Sequence, residues 1–270
     1  MLKTSAVALQ LRQYVTSSVE YTARSSFFVG VEYLRFSVQA MGGLFRRPLY
    51  LREFLYQCDV IGVGSLWLSI GIGVFIGIIM PIHLLGLLPS GTMYDLPSVI
   101  GSVTIREIGP TLTAVILAGR LSAGMAAELA SMKVTEQVDA LRAMGVDVTK
   151  SLVTTKLVAS VIMLPFLIFL VDIVAILGSW VIIGIPLGVD LHFYVNAAVS
   201  DLSHRDMGLA MTKALVSGFI VATVGCYCGL RAYGGTVGIA RASTQGVVSA
   251  GILILIFDVF LTHFLTPVGV

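Results

Sequence analysis

Apolar residues run along this chain in blocks rather than in alternation. Blocks near 60–84, 97–119, 153–184, 208–230 and 246–266 carry few charges. Each is long enough for a helix to cross roughly 30 Å of hydrocarbon, which takes about 20 residues. The alternation expected of a membrane barrel strand is nearly absent, so the pattern predicts an all-α membrane protein with five transmembrane helices. A different pattern precedes the first block: Phe27, Val31, Leu34, Val38, Met41 and Phe45 recur at steps of three and four, with Arg24, Glu32, Arg35, Gln39 and Arg46 at other positions. That spacing is an amphipathic helix. No soluble domain is large enough to cover its apolar face, so it is expected to lie in the membrane interface with its basic residues toward anionic headgroups. Pro48 blocks simple continuation into the first span.

The polar stretch 120–156 between the second and third spans has its own helical pattern. Met125, Leu129 and Met132 mark one apolar face, Val134, Val138 and Leu141 a second, and Gly145 is a natural stop. A short amphipathic pair outside the bilayer suits either a lid over the bundle or a docking element for another protein, and the pattern leaves both open. No repeat or domain boundary is evident. The expected organisation is one structural domain, with an N-terminal cytoplasmic or interfacial helical region over 1–58 and a five-helix region over 59–270.

Composition sharpens this picture in one respect. The 270 residues are 57% hydrophobic and 12% charged, with a formal charge of +2. That total says little, but its distribution sets the topology. Seven Lys and Arg precede the first span, five lie from Arg120 to Lys156, and Arg231 and Arg241 separate the fourth and fifth spans. The loop at 85–96 has none, and 185–207 has only Arg205 against Asp190, Asp201 and Asp206. The positive-inside rule therefore puts the N-terminus in the cytoplasm and the C-terminus across the membrane. The first twenty residues have no continuous apolar core or cleavage pattern, so no signal peptide is expected. Cys58, Cys226 and Cys228 form no ligand spacing and read as packing residues.

Ionisable residues inside spans are the candidate chemistry, because such groups face protein, water or substrate. They are Arg106, Glu107, Asp172, Lys213 and Asp258. Mutual pairing to fix helix register explains them as well as a functional role does. Pro110 cannot donate to the carbonyl of Arg106, and Pro165 likewise frees that of Val161, so both helices are expected to bend there. Gly73 and Gly77 have G-x-x-x-G spacing, which suits packing within the chain as well as dimerisation. Ser102, His263 and Asp258 are the parts available to an intramembrane hydrolase, but no G-x-S-x-G or H-E-x-x-H occurs and no catalytic residue is assigned. No nucleotide-binding G-x-x-x-x-G-K-[ST] occurs either, "GGTVGIAR" being too short and lacking the lysine. If ATP drives this protein, another chain must bind it.

Residues 105–147, "IREIGPTLTAVILAGRLSAGMAAELASMKVTEQVDALRAMGVD", resemble the signature of the MlaE/YrbE permease family, the membrane subunits of ABC systems that move phospholipids or other lipids. The likeness rests on the Arg-Glu-x-Gly-Pro block at 106–110, Ala-Gly-Arg at 118–120, Ala-Glu at 127–128, Thr-Glu-Gln at 135–137 and the Met144 to Asp147 ending. Weaker similarity includes "GVFIG" at 73–77, "VGIARAST" at 237–244 and the aspartate of "FDVFLT". The resemblance implies that the helical pair is a coupling element, with Glu128, Met132, Glu136, Leu141 and Gly145 toward a separate ABC ATPase. ATP and Mg would belong to that partner and no cofactor to this chain. It further implies a second copy of the permease, an MCE-domain protein on the outer face, in some systems a STAS-domain protein, and no nucleic acid.

A lipid cavity would lie between the two copies, lined mainly by the first and fifth spans, with Leu66, Ile70, Val74, Phe75 and Ile78 near acyl chains. Arg106, Glu107, Lys213 and Asp258 match positions where the family tends to carry charge, which suits gating or headgroup contact. The implied location is the bacterial inner membrane. Two rival functions use the same residues differently. An ion-coupled transporter of a hydrophobic substrate would relay ions through Asp258, Glu107 and Lys213 without an ATPase, although no inverted repeat is visible. A scaffold would tolerate cavity substitutions.

Overall fold

The computed structural model describes residues 30–42, 51–87 and 95–265. Arg24, Phe27, Phe45, Arg46 and Pro48, together with the first twenty residues and the end of the last predicted span, lie outside the described residues. Among the described residues ten α-helices follow in order: α1 over 30–42, α2 Leu51–Ile61, α3 Leu66–Leu87, α4 Leu96–Val103, α5 Gly109–Val134, α6 Gln137–Ala143, α7 Thr155–Ser179, α8 Leu191–Ser200, α9 His204–Leu230 and α10 Gly235–Leu265. Single π-helical turns at Thr104–Ile108, Thr149–Thr154 and Trp180–Gly184 join α4 to α5 and extend α7 at both ends. Five helical stretches are long and apolar enough to cross a membrane: Leu51–Gly86, Leu96–Val134, Thr149–Gly184, His204–Leu230 and Gly235–Leu265. They match the five predicted spans. The first begins earlier than hydropathy suggested, because α2 runs into α3 through one 3-10 turn at Val63–Ser65.

The core lies where α5, α7 and α9 meet, with Leu117, Leu121 and Leu129 packed among Val153, Leu164 and Val221. Elsewhere the helices present apolar faces outward, as a lipid solvent permits. Val248, Ile252, Ile256, Val259 and Phe260 of α10 are exposed, as are Phe166 and Phe169 of α7. Where both faces of a helix are apolar, small residues decide which one packs. On α3 that face carries Ser69, Gly73 and Gly77. A Cβ on Gly77 would lie 2.6 Å from the Ala175 carbonyl oxygen, and one on Gly73 would lie 2.7 Å from Val174 Cβ. The G-x-x-x-G spacing is thus used within the chain, between α3 and α7.

At one end of the bundle, α1 packs across the ends of two spans. The Thr154 hydroxyl donates to the Ala40 carbonyl at 3.1 Å, Tyr33 and Thr223 share a hydrogen bond of 2.7 Å, and Glu32 pairs with Arg231. Ser37 and Ala40 are buried while Leu34, Val38 and Met41 stay exposed, so the apolar stripe of the expected interfacial helix faces away from the bundle. The α5–α6 and α9–α10 connections lie at this same end, the one that charge assigns to the cytoplasm. At the other end α4 packs on α8, with Gly101 against the Ala198 backbone and the Tyr194 hydroxyl donating to Ser179 at 3.0 Å.

Candidate functional site

Three helices build a polar cluster inside the spans. Glu107, in the π-turn before α5, and Thr111 of α5 stand one turn apart; so do Asp258 and Thr262 of α10. Lys213 of α9 lies between them. Its ammonium is 2.7 Å from Glu107 Oε2, 3.0 Å from Asp258 Oδ1 and 3.3 Å from the Arg106 carbonyl oxygen. The ammonium thus donates two hydrogen bonds, to Glu107 and the Arg106 carbonyl, and Asp258 adds a second ion pair, as burial of its charge requires. The Arg106 carbonyl is the one that Pro110 leaves without a helical donor. Just before Pro110 the helix holds a π-turn, in which Gly109 N–H reaches back to Thr104, and Lys213 occupies the Arg106 oxygen.

The hydroxyls cross over. Thr111 of α5 donates to Asp258 at 2.8 Å, and Thr262 of α10 donates to Glu107 Oε1 at 3.3 Å. Each helix therefore satisfies the other's carboxylate, and α5, α9 and α10 are tied at one level. The cluster is open on one side only: the Lys213 side chain is 2% exposed and Asp258 14%, but Glu107 is 43% exposed.

Arg106 does not join this cluster. Its side chain turns to the end of the bundle where α4 packs on α8, with its guanidinium 2.8 Å from Asp206 Oδ2 and donating to the Asp201 carbonyl at 3.2 Å. Asp206 is fixed by the capping box that starts α9, its carboxylate accepting from Ser203 N–H at 2.9 Å. The sequence signal for this partner is Ser203-x-x-Asp206, an N-terminal helix signature. Asp172 stands apart from both. Its carboxylate lies against Gly109, where a Cβ would come within 1.9 Å of Oδ1, so a side chain at 109 would collide with it. Buried Oδ1 has no hydrogen-bond partner among the described residues.

The predicted coupling residues spread along α5 and α6. Glu128 is exposed and pairs at 2.7 Å with Lys156, whose side chain is 1% exposed. Lys156 thus belongs to the bundle and not to the polar stretch in which its charge was counted. Met132 packs on the core and Leu141 is half-buried, while Val138, buried, anchors α6. Glu136 is exposed at φ +60, a left-handed conformation between α5 and α6 that a non-glycine residue adopts at a cost of roughly 1–2 kcal/mol. Gly145, at φ +76, ends the element as expected. Lys133 donates to both oxygens of Asp139, at 2.9 and 2.7 Å, and holds that carboxyl below its ordinary pKa.

Four of the five residues placed near acyl chains form the outer face of α3: Ile70 is half-buried, and Val74, Phe75 and Ile78 are exposed. Leu66 parts from them and borders a groove of about 280 Å³ between α2 and α7, with Cys58, Met163 and Phe166.

The family model for Permease MlaE matches residues 54–264. A probable ABC transporter permease protein of Rickettsia typhi is 32% identical over 250 residues, covering 92% of this chain and 96% of that one. One of Rickettsia prowazekii is 33% identical over 245 residues, covering 90% and 94%. The protein trigalactosyldiacylglycerol 1, chloroplastic, of Arabidopsis thaliana is 29% identical over 222 residues, covering 82% of this chain and 63% of the plant protein.

Proposed function

From the premise that this chain belongs to the MlaE permease family, as a non-catalytic membrane subunit of an ABC transporter, we propose that it moves phospholipid or a related lipid. Two copies pair through the outward faces of α3 and α10. One observation carries the lipid reading: the half-open Glu107–Lys213–Asp258 cluster takes Asp258 from α10, the helix that also presents the exposed row Val248, Ile252, Val259 and Phe260. Charge beside an uncovered apolar surface suits a molecule with a polar head and hydrocarbon tails. The plant relative carries a galactolipid in its name, which supports the same class.

ATP and Mg then belong to a separate ABC ATPase that docks on α6 and the end of α5. Glu136 stands exposed at the turn between them and Glu128 on the face beside it. An MCE-domain protein would associate at the outer end, near α4 and α8, and a STAS-domain protein would act through the ATPase. In a bacterium the location is the inner membrane. Glu107 would receive the headgroup, with Val74, Phe75 and Ile78 along the tails.

The test is co-purification with the ATPase and ATP-driven lipid transfer between vesicles. Glu136→Lys is expected to abolish both ATPase association and transfer while bound lipid remains. Glu136→Gly removes the charge at a backbone position that glycine adopts without strain; it is expected to fold normally and weaken association. Transfer that persists without any ATPase would replace this reading with the ion-coupled one.

A further inference from the structure

At the cytoplasmic end a cavity of about 730 Å³ lies between α1, α9 and α10. It shares no lining residue with the polar cluster. Its walls include Tyr33, Tyr227, Arg231, Tyr233, Arg241 and Gln245. We propose that this cavity binds the phosphate-bearing headgroup of an anionic phospholipid from the cytoplasmic leaflet.

Charge is the first argument. Arg231 is already engaged, paired with Glu32 and lying 4.9 Å from the centre of the Tyr227 ring. Arg241 has no acidic partner among the described residues, so the cavity carries one guanidinium beyond what its walls neutralise. A guanidinium offers a planar fork matched to phosphate oxygens. The wall opposite is fixed: Tyr33 is hydrogen-bonded to Thr223 and stacks edge-on against Tyr227 at 5.6 Å.

Depth is the second argument and selects the source of the phosphate. The exposed stripe Leu34, Val38 and Met41 on α1 requires apolar surroundings, while Glu32 on the same helix pairs with Arg231 at the cavity wall. A helix so divided lies at the boundary between acyl chains and headgroups. The cavity that α1 borders therefore sits at headgroup level, where anionic lipid is concentrated and basic residues gain from its surface potential. The "GGTVGIAR" stretch thus gains a role unrelated to nucleotide. Gly234 and Gly235, at φ +90 and +66, turn the chain into α10 and bring Arg241 to the cavity two turns later.

This inference rests on the lipid-permease reading for its ligand class, and its test needs neither the ATPase nor transport. The full chain in neutral detergent is titrated with short-chain phosphatidylglycerol, short-chain phosphatidylcholine and inorganic phosphate. Phosphatidylglycerol is expected to bind most tightly, and Arg241→Gln to raise its dissociation constant about tenfold, the loss of one charge-assisted contact. Arg52→Gln, an equal charge change on α2, is expected to leave it unchanged. Should Arg241→Gln not fold, hydrogen exchange on the unmodified protein decides: phosphatidylglycerol is expected to protect amides in 233–241. Equal binding by Arg241→Gln, or absent protection, overturns the site. Inorganic phosphate competing at equal concentration overturns the lipid assignment. Headgroup binding with no ATP-driven transfer in the complete complex would retire the transport reading and leave this one standing.

Discussion

Lys213→Ala is expected to cost about 3–5 kcal/mol of stability, the range for removing one partner of a buried ion pair. The physical reason is that one ammonium serves Glu107, Asp258 and the orphan carbonyl of Arg106 together. Without it two carboxylates face each other across α5 and α10 with only Thr111 and Thr262 as donors. The check is the thermal midpoint in detergent and the yield of monodisperse protein. A triple variant, Lys213→Met with Glu107→Gln and Asp258→Asn, is expected to recover much of the loss, since polar groups without charge tolerate burial better. Lipid binding by that variant separates two roles. If it folds and binds lipid normally, the cluster is a structural tie; if it folds and binds poorly, the charges contact the headgroup.

The second large effect is expected at the contact of α3 with α7. Gly77→Val places a branched side chain where even a Cβ would sit 2.6 Å from the Ala175 carbonyl oxygen and 3.0 Å from Gly178 Cα. Backbone cannot yield as a side-chain tip does, so the helices must part, at about 1–3 kcal/mol. Gly71→Val is the control, because a Cβ there meets nothing within 4 Å. Thermal unfolding and cross-linking between copies check the result together. Gly77→Val is expected to lower the midpoint well below that of Gly71→Val. A variant that keeps its midpoint but loses its dimer would reassign the spacing to the interface between copies.

Much of this was legible in the amino acids, and the limits have physical causes. Five spans follow from hydropathy, because the bilayer imposes a length rule on each helix separately. Glu107, Lys213 and Asp258 stand out as rare charges inside spans. Which of them meet depends on α9 lying between α5 and α10, a tertiary fact without a local signal. Arg106 and Glu107 are neighbours in sequence, yet they point to different partners because successive helical residues diverge by about 100°. Lys156 was counted with the polar stretch since it follows directly on it, and only the packing of α5 against α7 reveals it as buried. On α3 hydropathy is uniform, so the packed face shows only as Ser69, Gly73 and Gly77.

The π-turn at Thr104–Ile108 gives the second span two registers. A π-turn is one residue inserted into an α-helix, and it shifts the phase of everything beyond it. Before the turn, α4 keeps the phase that seats Gly101 on α8; after it, α5 keeps the phase that carries Thr111 to Asp258. Deleting one residue there would remove the phase shift and lose the fit at one end. The span therefore works as a splice between one half indexed to α8 and another indexed to α9 and α10. Moving the extra residue along the helix by one turn would rotate the intervening residues without unwinding either half.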